Sequence, residues 1–361
     1  MKHFCNISTA AVAKLLNIKL EGRKLKIMKN DDTSHFVSAQ IRLYLLLNFY
    51  ANSNTGMTDL LSIVELAEKL SCNVKTVTRS LNCLTDAGLL KVVDTPESGY
   101  AIIQIVNIKD MYKRLGEDGK GYLTCSTEEL EAIVKIKRTA PLRAVMIGLI
   151  EFTIRNFLSA SKKIDVMILN MNTVQSAFPK SARPSDIRSA LNCEGAFGTL
   201  FERTAPDLKK NISVRLKEEF NAKYIKQRIR AEAKRSIFDH ISHVNSVLTN
   251  VNTGIHEDGI IHINDMTDMS SLGIDLWESV DPIHQEMMLP LLDIPSSVKN
   301  DCITIAQDFD TEIVVAAINT FYVNYLLSGN FKPDEKKSLG GLLRRIVQEL
   351  FNAPSEAYIT A

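Results

Sequence analysis

Residues 62–93, SIVELAEKLSCNVKTVTRSLNCLTDAGLLKVV, decide the fold. Ser62 opens a capping box, its hydroxyl accepting from the Glu65 N–H while the Glu65 carboxylate reaches back to the Ser62 N–H. Ile63, Leu66, Ala67 and Leu70 then recur at helical spacing and predict a short helix with one apolar face. Ser71-Cys72-Asn73 is a tight turn, and Asn73 suits the cap of a second helix. In that helix Val74, Val77, Leu81 and Leu84 are expected to face inward, leaving Lys75, Thr76, Arg79 and Asn82 outside. Gly88 stops it. Leu89 to Val93 is extended, residues 94–99 turn the chain, and Tyr100 to Val106 returns with strand-forming Ile102, Ile103 and Ile105.

Upstream, the apolar run from Ser38 to Ala51, with Ile41, Leu45, Leu46 and Tyr50, predicts a helix packed behind the other two. Met57 to Leu61 reads as a short strand between them. This order, ending in D-A-G-L-L, strand, turn and strand, resembles the winged helix-turn-helix domains of bacterial DNA-binding proteins. Those of plasmid and phage replication initiators, which have a Tyr-rich apolar helix like RLYLLLNFYA before the motif, and of transcription regulators are similar. The resemblance covers residues 36–107 and implies a site-specific partner, double-stranded DNA. Thr76, Arg79 and Asn82 would read base edges, since guanidinium suits guanine and carboxamide suits adenine. Lys75 and Ser71 would hold phosphates.

Charge qualifies this expectation. From Leu60 to Val106, Lys69, Lys75, Arg79 and Lys91 face Glu65, Glu68, Asp86, Asp94 and Glu97. Phosphate neutralisation supplies most non-specific affinity, so this segment needs basic help from elsewhere or from a dimer. The whole chain of 361 residues carries a formal charge of +1. It is long enough for two or three cored domains. It has no apolar run of membrane-spanning length and begins with no signal-peptide core, so no membrane partner is expected. Its six scattered cysteines read as reduced thiols of a cytoplasmic protein.

The expected fold is mainly α, with a winged helix-turn-helix at residues 36–115 behind an N-terminal extension, residues 1–35. Ile18 to Met28 in that extension reads as a hairpin or a basic arm. A Gly-rich linker, residues 116–121, precedes a second capping box at Ser126 and Glu129. Residues 122–202 then run helix, strand, helix, turn, helix. This is either a degenerate second winged helix or an ordinary helical domain, since neither the D-x-G-L-[IL] ending nor a clear wing follows. The helices are placed at Pro141 to Ala160, Asn172 to Phe178 and Ser185 to Cys193, with Arg188 outward, and the strand at Ile164 to Leu169.

Residues 203–361 segregate charge. Eleven Lys and Arg against four acids fall in 203–235, and thirteen acids against Lys299 alone fall in 256–312. Much of Asp207 to Asn250 has helical spacing, so Lys223, Lys226 and Arg230 are expected on a basic helix as contacts to the DNA backbone. The opposite blocks suit pairing within the fold or across a homo-oligomer, a dimer first. No phosphate-binding glycine loop is present. His240 and His243 lack further ligands in the sequence around them, so no metal, cofactor or catalytic residue is expected. Two functions stay open. One is a non-enzymatic site-specific DNA-binding protein working with replication or transcription proteins. The other is an assembly protein that docks a protein partner through the same domain.

Overall fold

The computed structural model describes residues 3–21, 26–29, 36–53, 55–93, 98–106, 108–112, 121–158, 166–176, 178–179, 182–205, 211–258, 269–274, 289–329 and 339–352. The protein is mainly helical with small antiparallel sheets. No helix among the described residues is long and apolar enough to cross a membrane. The chain packs as two units, residues 4–225 and residues 226–361 with 1–3. The 94–97 turn, most of the 116–121 linker, and residues 259–268 and 275–288 of the acidic stretch lie outside the described residues.

The first unit opens with β1 (Phe4–Ser8) and α1 (Thr9–Leu16), followed by a hairpin of β2 (Ile18–Glu21) and β3 (Lys26–Lys29). The hairpin reading of this stretch therefore holds. Next come α2 (Ser38–Tyr50), β4 (Leu61–Ser62), α3 (Ile63–Lys69) and α4 (Val74–Asp86). Strands β5 (Leu90–Val93) and β6 (Tyr100–Ile105) close this half. The sheet order is β4-β6-β5, with Leu90 opposite Ile105 and Leu61 opposite Ala101.

A second half repeats this plan. It runs β7 (Tyr122–Ser126), α5 (Thr127–Val134), α6 (Thr139–Leu158), β8 (Val166–Asn170), α7 (Met171–Ser176) and α8 (Pro184–Ala190). A short α9 (Phe197–Leu200) leads to β9 (Phe201–Arg203) and β10 (Asn211–Leu216). The sheet order is β8-β10-β9, all antiparallel, so the strand between the two helix pairs again pairs with the last strand. The two halves join through β1 and β7, which pair antiparallel with Asn6 opposite Thr124 at the centre and Cys5 opposite Cys125. Each strand ends in a serine that caps the following helix: Ser8 Oγ accepts from the Ala11 N–H and Ser126 Oγ from the Glu129 N–H. One continuous core then fills the unit, from Ile7 and Val12 through Leu45 and Leu84 to Ile147 and Phe201.

The expected helix from Asp207 is corrected at its start. Residues 211–216, NISVRL, form β10, whose Ile212, Val214 and Leu216 alternate inward with period two. The helix begins only at Ala222 and runs to Asp258 as α10, about 55 Å long at 1.5 Å per residue. Ile225 and Ile229 of its buried stripe belong to the first unit's end and the second unit's beginning.

In the second unit the stripe continues through Ala233, Ile237, Ile241, Val244 and Leu248. Packed with it are α11 (Ser296–Ile305), α12 (Thr311–Phe321) with its π-helical continuation Tyr322–Leu327, and α13 (Leu339–Asn352). Two asparagines of α10 hold an extended segment. Asn252 Nδ2 donates to the Leu289 carbonyl (2.9 Å) while its Oδ1 accepts from the Leu289 N–H (2.7 Å). Asn245 does the same to Leu292, at 3.1 and 2.7 Å.

Candidate functional site

The α3–α4 corner is built as its residues dictate. Ser62 Oγ accepts from the Glu65 N–H at 3.3 Å, and α3 ends one turn later. There the Ser71 N–H donates to Glu68 O and the Cys72 N–H to Ala67 O, both at 2.9 Å, a Schellman closure. Ser71 occupies the left-handed position of that closure, with φ of 48°. Asn73 Oδ1 then accepts from the Thr76 N–H (2.7 Å) and starts α4. At its other end α4 closes the same way: Gly88 N–H to Thr85 O and Leu89 N–H to Leu84 O. Lys14 of α1 adds its ammonium to the Ala87 carbonyl (2.5 Å), where the helix dipole favours a cation.

Helix α4 packs on α2 and α3 through Val77, Ser80, Leu81 and Leu84, all buried. Each fully buried aliphatic side chain contributes about 1.5–3 kcal/mol. Val74, expected inside, is 44% exposed. It continues the apolar spacing, but as the first residue of the helix it lies beyond the last turn that α2 and α3 cover.

The opposite face is polar. Lys75, Arg79 and Asn82 are exposed and follow one another at i, i+4 and i+7, so they form a single stripe. Ser71 is exposed beside its start. Thr76 is half-buried, and its hydroxyl donates to Asn73 Oδ1 at 2.8 Å, which leaves it only as an acceptor. The acids Glu65 and Glu68 of α3 and Asp86 of α4 are exposed too. Behind it, Lys69 Nζ donates to the Tyr50 hydroxyl and lies 4.9 Å from that ring's centre. A guanidinium and a carboxamide three residues apart on an exposed helix face can make the bidentate bonds that discriminate base edges in a major groove.

The three cations expected on a basic helix all lie on α10. Lys226 and Arg230 are exposed, one turn apart. Lys223 is half-buried, with its Nζ 5.2 Å from the Tyr224 ring centre. His240 is a packed side chain: its Nε2 lies 2.7 Å from Asn319 Oδ1, and burial lowers its pKa. Arg215, in β10, pairs with Glu202 across the sheet.

In the second half the helix at the place of α4 is α8. Its Ile187 and Ala190 are buried, while Arg183, Ser185, Arg188 and Ser189 are exposed. The outward Arg188 was expected, whereas Pro184, one residue before the expected start at Ser185, is the first residue of the helix. The strands that complete the likeness were not expected, because β9 is three residues long and β10 sits among charged residues. No protein-family model matches this chain, and no curated protein matches it.

Proposed function

We propose that residues 38–105 are a winged helix-turn-helix domain that binds double-stranded DNA at specific sites, with α4 in the major groove. Residues 139–216 are then a second domain of the same plan, and α8 is its counterpart helix. The observation that carries this reading is the division of α4 into a buried stripe and an exposed one bearing Lys75, Arg79 and Asn82. In this reading Arg79 and Asn82 contact bases, while Lys75 and Ser71 hold the backbone. The nearby acids leave α4 with little net positive charge, so further phosphate neutralisation comes from the basic side of α10 or from a second copy. The activity is of the kind that replication initiators and transcription regulators share.

Selection of the full chain on random duplex DNA, followed by sequencing, tests this. An enriched motif is expected, and Arg79→Ala should lose about 1–3 kcal/mol on it while keeping its binding to random duplex. A symmetric motif would report a dimer. A second reading, docking of a protein partner, rests on the exposed apolar residues Val92, Val93 and Tyr100 of β5 and β6. Selection that enriches nothing would favour it.

A further inference from the structure

The first unit has a half-open pocket of about 350 Å³ where its two halves meet. Ile7 of β1 and Leu45 of α2 face it from one half, and Leu123, Ile133, Met146 and Phe152 from the other. A dry apolar cavity of about 150 Å³ already admits a molecule the size of benzene, so this one has room for a two-ring compound.

Its walls are apolar except at a few points, and the most consequential is Glu129. That side chain is 3% exposed and lines the cavity. Its Oε2 accepts the Ser126 N–H at 2.8 Å as part of the α5 cap. No cation pairs with it among the described residues. Lys223 lines the same cavity, but its ammonium lies on the Tyr224 ring, which is not part of the lining. The neighbouring Cys125 thiol approaches the Ser126 carbonyl (3.6 Å) and also hydrogen-bonds the Glu129 carboxyl group; burial first, and Glu129 beside it, hold it neutral, so it brings no charge to the site. A buried carboxyl group without a cation in a mainly apolar pocket is costly as an anion unless something brings the opposite charge to it. Accordingly, burial raises the Glu129 pKa to about 8.

We propose that this cavity binds a small apolar amine, its hydrocarbon body on the walls from β1, α2, α5, β7 and α6 and its ammonium paired with Glu129. Atoms and charge balance simply. The ligand enters as an ammonium ion, the Glu129 carboxyl group releases its proton to solvent, and an ion pair with charge-assisted hydrogen bonds remains. The inference does not depend on DNA binding, since it concerns the seam between the halves and not α4.

The test is calorimetric titration of the full chain with 1-(aminomethyl)naphthalene and with its neutral analogue 1-naphthalenemethanol. The amine should bind at least about tenfold more tightly, the ratio expected of one charge-assisted bond. Glu129→Gln keeps the size of the side chain and an oxygen for the cap, and it should bring the two affinities together. Leu149→Trp, which fills the chamber, should abolish both; if it does not fold, the wild type and Glu129→Gln still decide. Failure of both compounds to bind, equal affinities in the wild type, or a preference for the amine that survives in Glu129→Gln would each overturn the proposal.

Discussion

Arg42 and Arg143 hold each other's half of the first unit. Each is the fifth residue of its helix, α2 from Ser38 and α6 from Thr139. Arg42 Nη1 donates to the carbonyl of Val134 (2.6 Å), the last residue of α5, and to that of Leu70 (2.9 Å) at the end of α3. Arg143 Nη1 donates to the carbonyl of Leu16 (2.7 Å), the last residue of α1, and its Nη2 to that of Phe36 (3.1 Å). Helices α1 and α5 follow the paired strands β1 and β7, so the two guanidiniums cap corresponding helix ends across the seam. Burial opposes the charge, lowering the pKa of both and bringing Arg143 to about 10. Four orphan helix-end and loop carbonyls offset that cost.

Removing Arg143 should therefore be expensive. Arg143→Ala leaves one buried and one part-buried carbonyl without this donor and opens a cavity, a loss of about 3–5 kcal/mol. Arg143→Lys should recover less than half, because a single ammonium on a flexible stem cannot reproduce the planar fork. Urea denaturation of the three proteins measures this. An Arg143→Ala midpoint equal to the wild type would mean that the carbonyls find water or another donor.

The capping carboxylate on the same seam makes a pH prediction. The folded-state pKa of Glu129 is raised from 4.5 to about 8, so the folded state binds the extra proton between those values. Its stabilising contribution is full below pH 4.5 and is lost as pH rises through about 8. The slope is at most about 1.4 kcal/mol per pH unit for one proton. Glu129→Gln, which cannot titrate, should remove this part of the decline. Denaturation midpoints of both proteins from pH 5 to 8 should diverge, with the variant gaining relative to the wild type toward pH 8. Parallel curves would show that Glu129 ionises normally.

How much of this was legible beforehand depends on the range of the interaction. The α3–α4 corner was, because Ser62, Asn73 and Gly88 act on backbone groups within a few residues, and the buried stripe repeats within one helix. The pairing of β1 with β7 left no local signal, since FCNIS and YLTCS are short and lie more than a hundred residues apart. An arginine near the start of each of two apolar helices says that the charge must be met, but not that the carbonyls belong to the other half. Val74 shows the opposite failure. Its spacing was correct, yet periodicity cannot tell where the neighbouring helices stop covering a face.

Two glycines separate conformational cost from steric cost. Both Gly88 and Gly56 have positive φ, 67° and 73°. A Cβ on Gly88 would meet nothing within 4 Å, so Gly88→Ala should lose only the left-handed penalty, about 1–2 kcal/mol. A Cβ on Gly56 would lie 2.8 Å from the Ile105 carbonyl oxygen, which belongs to β6 and cannot move without the sheet. Gly56→Ala should lose roughly twice as much or more. Equal thermal midpoints for the two variants would mean that the loop before β4 yields freely.

The asparagines of α10 give the last prediction, in the second unit. Asn245 and Asn252 are seven residues apart, two turns of one helix face, and they bind Leu292 and Leu289 through both backbone groups. The carboxamide donates from its NH₂ arm and accepts at its oxygen, so it copies the pairing of a β-ladder on the side of a helix. Asn252 is 7% exposed, and water is poorly placed to substitute for it. In Asn252→Leu the Leu289 N–H and C=O both lose this partner, at a cost of about 1–3 kcal/mol for each buried group left unsatisfied. Asn252→Asp keeps the acceptor but loses the donor and sets an anion against the Leu289 carbonyl, so it should also destabilise. Amide exchange is the sharper measurement, because it reports the segment rather than the whole unit. The Leu289 amide should exchange faster in either variant, whereas Leu292, still held by Asn245, should change less. Should Leu289 remain as protected in Asn252→Leu as in the wild type, packing of Leu289, Leu292 and Ile294 in the core would be what holds the segment, and the asparagines would only follow it.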